Sequence, residues 1–124
     1  NKIEPEIKSW DQLILYEYPA PLAALSTIKT DDPMVCERFE LYLKGVEVAN
    51  CFNELRDLQE QKKRYFHFDS LRKSLSPKKS SSPPVPSILF NALERGFPPT
   101  VGIALGIERF YKILCNVNDP FLFE

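Results

Sequence analysis

Polar and apolar residues alternate without interruption from Arg38 to Leu43. Phe39, Leu41 and Leu43 can share one face, and Arg38, Glu40 and Tyr42 the other. Lys44-Gly45 reads as a turn, and alternation resumes through Val46-Glu47-Val48-Ala49-Asn50, so the pattern predicts a β-hairpin over 38–50. Upstream, the apolar run within 13–18, stopped by Pro19, predicts a buried strand. Pro21 suits a first helical turn, which Leu22, Ala23, Ala24 and Leu25 extend by a turn or two. Thr30-Asp31-Asp32-Pro33 is a loop.

Asp57 with Glu60 three residues on has the form of a capping box, and it opens a helix whose buried side draws on Leu58, Tyr65 and Phe66. Glu60, Lys62, Lys63 and Arg64 make its solvated face. Between Ser74 and Pro86 the composition turns to Ser, Pro and Lys, which offers no apolar surface to offset ordering entropy and predicts a mobile loop at 74–86. A short helix from Ser87 to Arg95 stops at Gly96. A glycine-punctuated strand over Thr100–Gly106 then runs into a helix from Ile107 to Leu114. The fold class expected is α+β, an antiparallel sheet flanked by helices.

A chain of 124 residues is one domain or part of one, and 44% apolar residues suffice for a core. The longest apolar stretches are a few residues, far short of the ~20 that span a bilayer, and the acidic start carries no apolar signal segment. A net charge of −1 argues against broad attraction to a phosphate backbone. Cys36, Cys51 and Cys115 are too sparse for a disulfide framework, and with His67 alone they make no zinc site. The expectation is a soluble cytoplasmic protein with reduced thiols. Because residue 1 is Asn, a processed chain or a piece of a longer one is expected.

Two places carry chemistry. Glu40 and Glu47 lie on adjacent strands of the hairpin, with Asn50 and Glu54 just beyond. If the two carboxylates share a face, each raises the other's cost of ionising unless a cation sits between them, and hard oxygen donors of this kind suit Mg²⁺ shared with substrate phosphates. The plainer possibility is an amphipathic hairpin with its polar face in water. The second place is Gly102-x-Ala104-x-Gly106-x-Glu108-Arg109. Small residues at alternate positions leave one strand face bare enough for a flat ring, and Arg109 stands in the first turn of a helix, where a guanidinium can grip phosphate oxygens. A tightly packed core strand followed by a surface Arg would look the same.

Gly102-x-Ala104-x-Gly106-x-Glu108-Arg109 resembles motif 3 of class II aminoacyl-tRNA synthetases. Glu37-Arg38-Phe39-Glu40-Leu41-Tyr42 and the segment Glu47-Val48-Ala49-Asn50-Cys51-Phe52-Asn53-Glu54-Leu55 resemble the lysyl branch of that class. Tyr18-Pro19-Ala20, followed by Ala23-Ala24-Leu25, falls in the right order before them. The likeness runs from about residue 14 to 114. Ala49 and Ala104, where lysine–tRNA ligases usually have Gly, are similar to the paralogous elongation factor P lysyltransferase family.

The resemblance implies that residues 1–124 are the C-terminal part of a class II synthetase-like catalytic domain. It implies activation of lysine or β-lysine by ATP and transfer to a lysine of elongation factor P; the alternatives are a lysine–tRNA ligase fragment with lysine tRNA as acceptor, or a truncated non-enzymatic module. It assigns Glu40 and Glu47 to Mg²⁺ and ATP, and Arg109 to the terminal phosphate. Gly102, Ala104 and Gly106 would accommodate adenosine and substrate. Asn50 would bind the amino-acid carboxylate, Phe52 would line the pocket, and Glu54 would pair with an amino group. A homodimeric parent is implied, with no membrane partner. Replacing Glu40 or Glu47 by Ala should abolish ATP–pyrophosphate exchange and leave the fold intact.

Three departures qualify the carry-over. Cys51 replaces a usual Gly, and a need for φ > 0 there would strain it. The Ser/Pro/Lys stretch is unlike the family's ordinary connection. Motifs 1 and 2, which supply the dimer contact and the α-phosphate Arg, are expected before residue 14 and are not found, so about half an active site is present.

Overall fold

The computed structural model describes residues 3–75 and 83–117, in the order α1 (Ile3–Ile7), β1 (Gln12–Tyr16), a 3₁₀ turn (Ala20–Leu22), β2 (Arg38–Leu43), β3 (Val46–Asn53), α2 (Leu58–Leu75), α3 (Ser87–Glu94), β4 (Val101–Leu105) and α4 (Ile107–Cys115). They form two units, one made of residues 1–53 and 101–124, the other of 54–100.

The first unit is built on a four-stranded, wholly antiparallel sheet in the order β1-β2-β3-β4. The predicted hairpin forms β2 and β3. Lys44 (φ 48°) and Gly45 (φ 75°) both adopt positive φ at its turn, which matches the right-handed twist of the flanking strands. Gly45 is required twice over, because a Cβ there would lie 2.8 Å from Lys8 Cγ and 2.9 Å from Lys8 Cα. Lys8, which directly follows the five-residue α1 that the sequence pattern did not signal, thus packs close against the turn. Ala23, Cys36, Val48, Ala49 and Cys51 are buried.

β1 departs from expectation. Its residues alternate between exposed and half-buried, with Ile14 and Tyr16 more than half exposed. Ile14 and Tyr16 pair with Leu41 and Phe39, on a sheet face where Val101 and Ile103 of β4 are also exposed, so among the described residues no second layer covers that end of it. The helical turn at Pro21 is also shorter than expected, because Ala24 takes φ 50° and ends it.

In the second unit, Asp57 Oδ1 accepts the Glu60 N–H at 2.7 Å, so half of the capping box forms. Glu60 does not reach back. Its carboxylate accepts instead from Arg64 at 2.9 Å and Lys63 at 3.2 Å, and these cations hold it below the usual carboxylate range. Tyr65 meets Phe90 edge-on at 6.1 Å and donates to the Pro83 carbonyl at 2.8 Å, while Phe66 is exposed, contrary to the predicted buried side. Leu55, Phe90 and Leu93 are buried, and Gln61 is buried with its amide donating to the Leu55 carbonyl. Of the loop expected at 74–86, Ser74 and Leu75 instead continue α2. Residues 76–82 lie outside the described residues. Among those described, no helix is long and apolar enough to cross a membrane.

Candidate active site

The site is assembled by strand register. Arg38 pairs with Phe52, Glu40 with Asn50, Phe52 with Gly102, and Asn50 with Ala104. Directly paired residues share a sheet face, so Arg38, Glu40, Asn50, Phe52, Gly102 and Ala104 stand on one side. The bare strip read from Gly102 and Ala104 lies opposite Phe52 and Asn50.

Glu47 reaches that face through an irregularity. Had the register of Glu40↔Asn50 and Leu41↔Ala49 continued, Tyr42 would oppose Val48, and Glu47 would oppose Leu43 on the apolar side. The register instead shifts between Leu41 and Tyr42, so that Tyr42 opposes Glu47 and Val48 is the extra residue. This β-bulge re-aims the strand. Glu47 joins Glu40 on one face, and Val48 is buried.

The second motif is fastened to this bulge. The Gly106 N–H donates to the Val48 carbonyl at 2.8 Å, and the exposed Arg109 donates from Nη1 to the Glu47 carbonyl at 3.1 Å. Gly106 has φ −77°, so no left-handed backbone demands glycine there. A Cβ there would lie 3.4 Å from Arg109 Cδ, in contact with that side chain. The hairpin and the Gly-x-Ala-x-Gly strand therefore meet at Glu47 and Arg109.

Glu40 is only 5% exposed and is heavily engaged. One oxygen accepts from the Tyr18 and Tyr42 hydroxyls, each at 2.5 Å, and the other accepts from Arg38 Nη2. Burial raises the Tyr18 phenol well above its usual range, and its bond to Glu40 adds to this. Burial likewise raises Tyr42, with Glu40 and the charge on Glu47 contributing. Both phenols remain protonated donors. Glu40 thus holds the face together as well as carrying charge, and Ala at this position would disturb packing too, contrary to the expectation of an intact fold.

Magnesium is held by one or two protein carboxylates, with phosphate and water oxygens completing its shell. Two carboxylates on one face fit that chemistry, although both Glu40 oxygens already accept hydrogen bonds, one from Arg38 and the other from the two phenols. Among the described residues, no group of three His, Cys, Asp or Glu side chains could hold a metal unaided. Glu54 begins the second unit, where its N–H donates to the Thr100 carbonyl at 3.0 Å and burial raises its carboxyl above the ordinary range.

Cys51 resolves one departure from the family pattern. It lies within β3 opposite Phe39, is buried, and is not among the residues with positive φ, so it carries no backbone strain. A cavity of about 350 Å³ is lined by Phe39, Cys51 and Val101 of the opposite sheet face together with Cys36, Glu37 and Arg38. The residues that sequence reasoning missed are Arg38, Tyr18 and Tyr42. Arg38 and Tyr42 flank Glu40 at two-residue spacing, which places them on its face. Tyr18 comes from 22 residues away and left no comparable signal.

The family model for class II tRNA synthetases (D, K and N) matches residues 2–119. The chain is 38% identical over 116 residues to the elongation factor P–(R)-β-lysine ligase of Buchnera aphidicola subsp. Acyrthosiphon pisum (strain APS), covering 93% of this chain and 35% of that protein. It is 41% identical over 117 residues to the ligase of the same name from Histophilus somni (strain 2336), covering 94% and 35%. The chain therefore spans about a third of the length of the curated relatives it matches. With the match covering nearly the whole chain and the paired motifs meeting at one bulge, this protein belongs to the class II tRNA synthetases of the D, K and N type.

Proposed function

We propose that this chain forms part of a ligase that activates lysine or (R)-β-lysine with ATP and transfers it to a lysine side chain of elongation factor P. The observation that carries the reading is the β3 bulge, which brings Glu47 onto the face of Glu40, Asn50, Phe52, Gly102 and Ala104, with the Arg109 guanidinium on the Glu47 carbonyl. The names of the relatives favour elongation factor P over a tRNA as acceptor.

In this reading a carboxylate oxygen of the amino acid attacks the α-phosphorus of ATP and pyrophosphate leaves. Charge stabilisation and in-line positioning then outweigh acid–base work. Magnesium held by Glu40 and Glu47 would neutralise phosphate charge. Arg109 contacts the terminal phosphate with its guanidinium, whose Nη1 also donates to the Glu47 carbonyl. The strip from Gly102 to Gly106 receives adenosine, Asn50 donates to the substrate carboxylate, Phe52 lines the pocket, and Glu54 pairs with an amino group. The remaining α-phosphate donor comes from outside these residues.

The test uses an intact ligase carrying this segment. Glu47→Ala and Arg109→Ala should each lower lysine-dependent ATP–pyrophosphate exchange by roughly 10²–10³, the usual cost of one preorganised group. Labelled lysine should pass to elongation factor P and not to tRNA. Unchanged exchange in both variants would refute the ATP site, and charging of tRNA alone would refute the acceptor.

A further inference from the structure

Arg38 touches more of the candidate site than any assigned role requires. Its Nε donates to Asn50 Oδ1 at 3.2 Å, its Nη1 to the Leu22 carbonyl at 2.9 Å, and its Nη2 to Glu40. Its guanidinium carbon lies 4.5 Å from the centre of the Tyr18 ring and 5.4 Å from that of Phe52. The side chain is only 15% exposed. Three separate acceptors and two ring faces fix both the position and the plane of this group.

An asparagine amide can ordinarily turn either way, because its oxygen and nitrogen are similar in size. Arginine removes that freedom at Asn50. A guanidinium has donors only, so the atom facing it must be the Asn50 oxygen. The Asn50 NH₂ is thereby turned away from Arg38. Among the described residues no acceptor engages it, and the residue is half-buried on the site face.

We infer that Arg38 is a positioning residue that clamps the Asn50 amide oxygen and so presents the Asn50 NH₂ as a donor to the carboxylate of the amino-acid substrate. The inference rests on the reading of Asn50 as the carboxylate-binding residue. Arg38 touches no substrate and acts through Asn50. Lysine in its place could neutralise Glu40 with a single ammonium but could not also hold the amide oxygen from a fixed plane.

The experiment compares lysine with lysinamide, whose carboxylate is replaced by a neutral amide, as equilibrium ligands of an intact ligase carrying this segment. The wild type should prefer lysine. Asn50→Ala should shrink that preference by roughly tenfold or more, the range for a hydrogen bond to a charged group. Arg38→Lys should shrink it by a similar factor, and in pyrophosphate exchange should raise KM for lysine more than it lowers kcat. Preference lost in Asn50→Ala but kept in Arg38→Lys would overturn the positioning role and leave Asn50 standing. Preference kept in Asn50→Ala would overturn the Asn50 reading, and the Arg38 inference with it. Should Arg38→Lys fail to fold, NMR of the ¹⁵N,¹³C-labelled wild-type chain decides. The Arg38 Nε–H should be protected from exchange and coupled across the hydrogen bond to the Asn50 carboxamide carbon; a rapidly exchanging, uncoupled Nε–H would overturn the inference.

Discussion

Glu40→Gln tests how much of this fold depends on a single carboxylate. The substitution keeps the shape and removes the charge. In the wild type Glu40 is 5% exposed and accepts from Tyr18, Tyr42 and Arg38, whose own side chain is 15% exposed. Removing one partner of a buried ion pair costs about 3–5 kcal/mol, because the other charge stays buried and unpaired. Gln returns part of this, since its amide oxygen can still accept from the phenols as a neutral acceptor worth about 1 kcal/mol per bond. Its NH₂ cannot accept from Arg38, so that donor loses its partner. The net loss expected is about 2–4 kcal/mol, a large share of the roughly 5–15 kcal/mol that holds a typical domain together. Urea unfolding monitored by circular dichroism reads it as a fall in midpoint at unchanged slope. Glu47→Gln is the control, because Glu47 is half-buried and no buried cation is paired with it among the described residues; its change should stay within about 0.5 kcal/mol. A Glu40→Gln loss no larger than that of the control would refute the description of Glu40 as the centre of a buried network.

Tyr18 and Tyr42 both have phenols raised above the reference value of 10.0. Their contribution is therefore full below that value and is lost as pH rises through the folded pKa, so stability should fall above about pH 10. Tyr42→Phe should flatten that fall in a pH series of urea midpoints, and an unaltered slope would count against it. Cys51→Gly should destabilise by about 1–3 kcal/mol, since the position is buried in a regular strand without positive φ and Gly adds only chain entropy and a void; a gain in melting temperature would show that the backbone there prefers glycine. Gly45→Ala should cost at least about 1 kcal/mol through its φ of 75° and the 2.9 Å approach to the Lys8 backbone, and a neutral result would mean that Lys8 does not pack against the turn.

The sequence alone determined most of the elements, α1 excepted, and the chemistry's vocabulary. Strict alternation from Arg38 to Leu43, a glycine at the turn, Asp57 at a helix start and small residues at 102, 104 and 106 are local signals, and each produced its element within a residue or two. Local signals failed where stability is set by neighbours. Ile14 and Tyr16 were expected to be buried because their run is apolar, yet among the described residues no layer covers their part of that sheet face and they are exposed. Ser74 and Leu75 continue a helix that composition had ended.

Tertiary structure alone decided the site. Period-two counting along β3 places Glu47 on the face opposite Asn50, and only the one-residue bulge at Val48 reverses this. A bulge is a property of two paired strands, so no pattern within one strand announces it. The state of Glu40 is likewise a property of the fold. Its sequence neighbours suggest a carboxylate facing solvent, whereas Tyr18 and Arg38 arrive from another strand end and from two residues back to bury and saturate it. Taking a charge out of water is tolerable only where several donors converge, and that convergence exists only once the chain has folded.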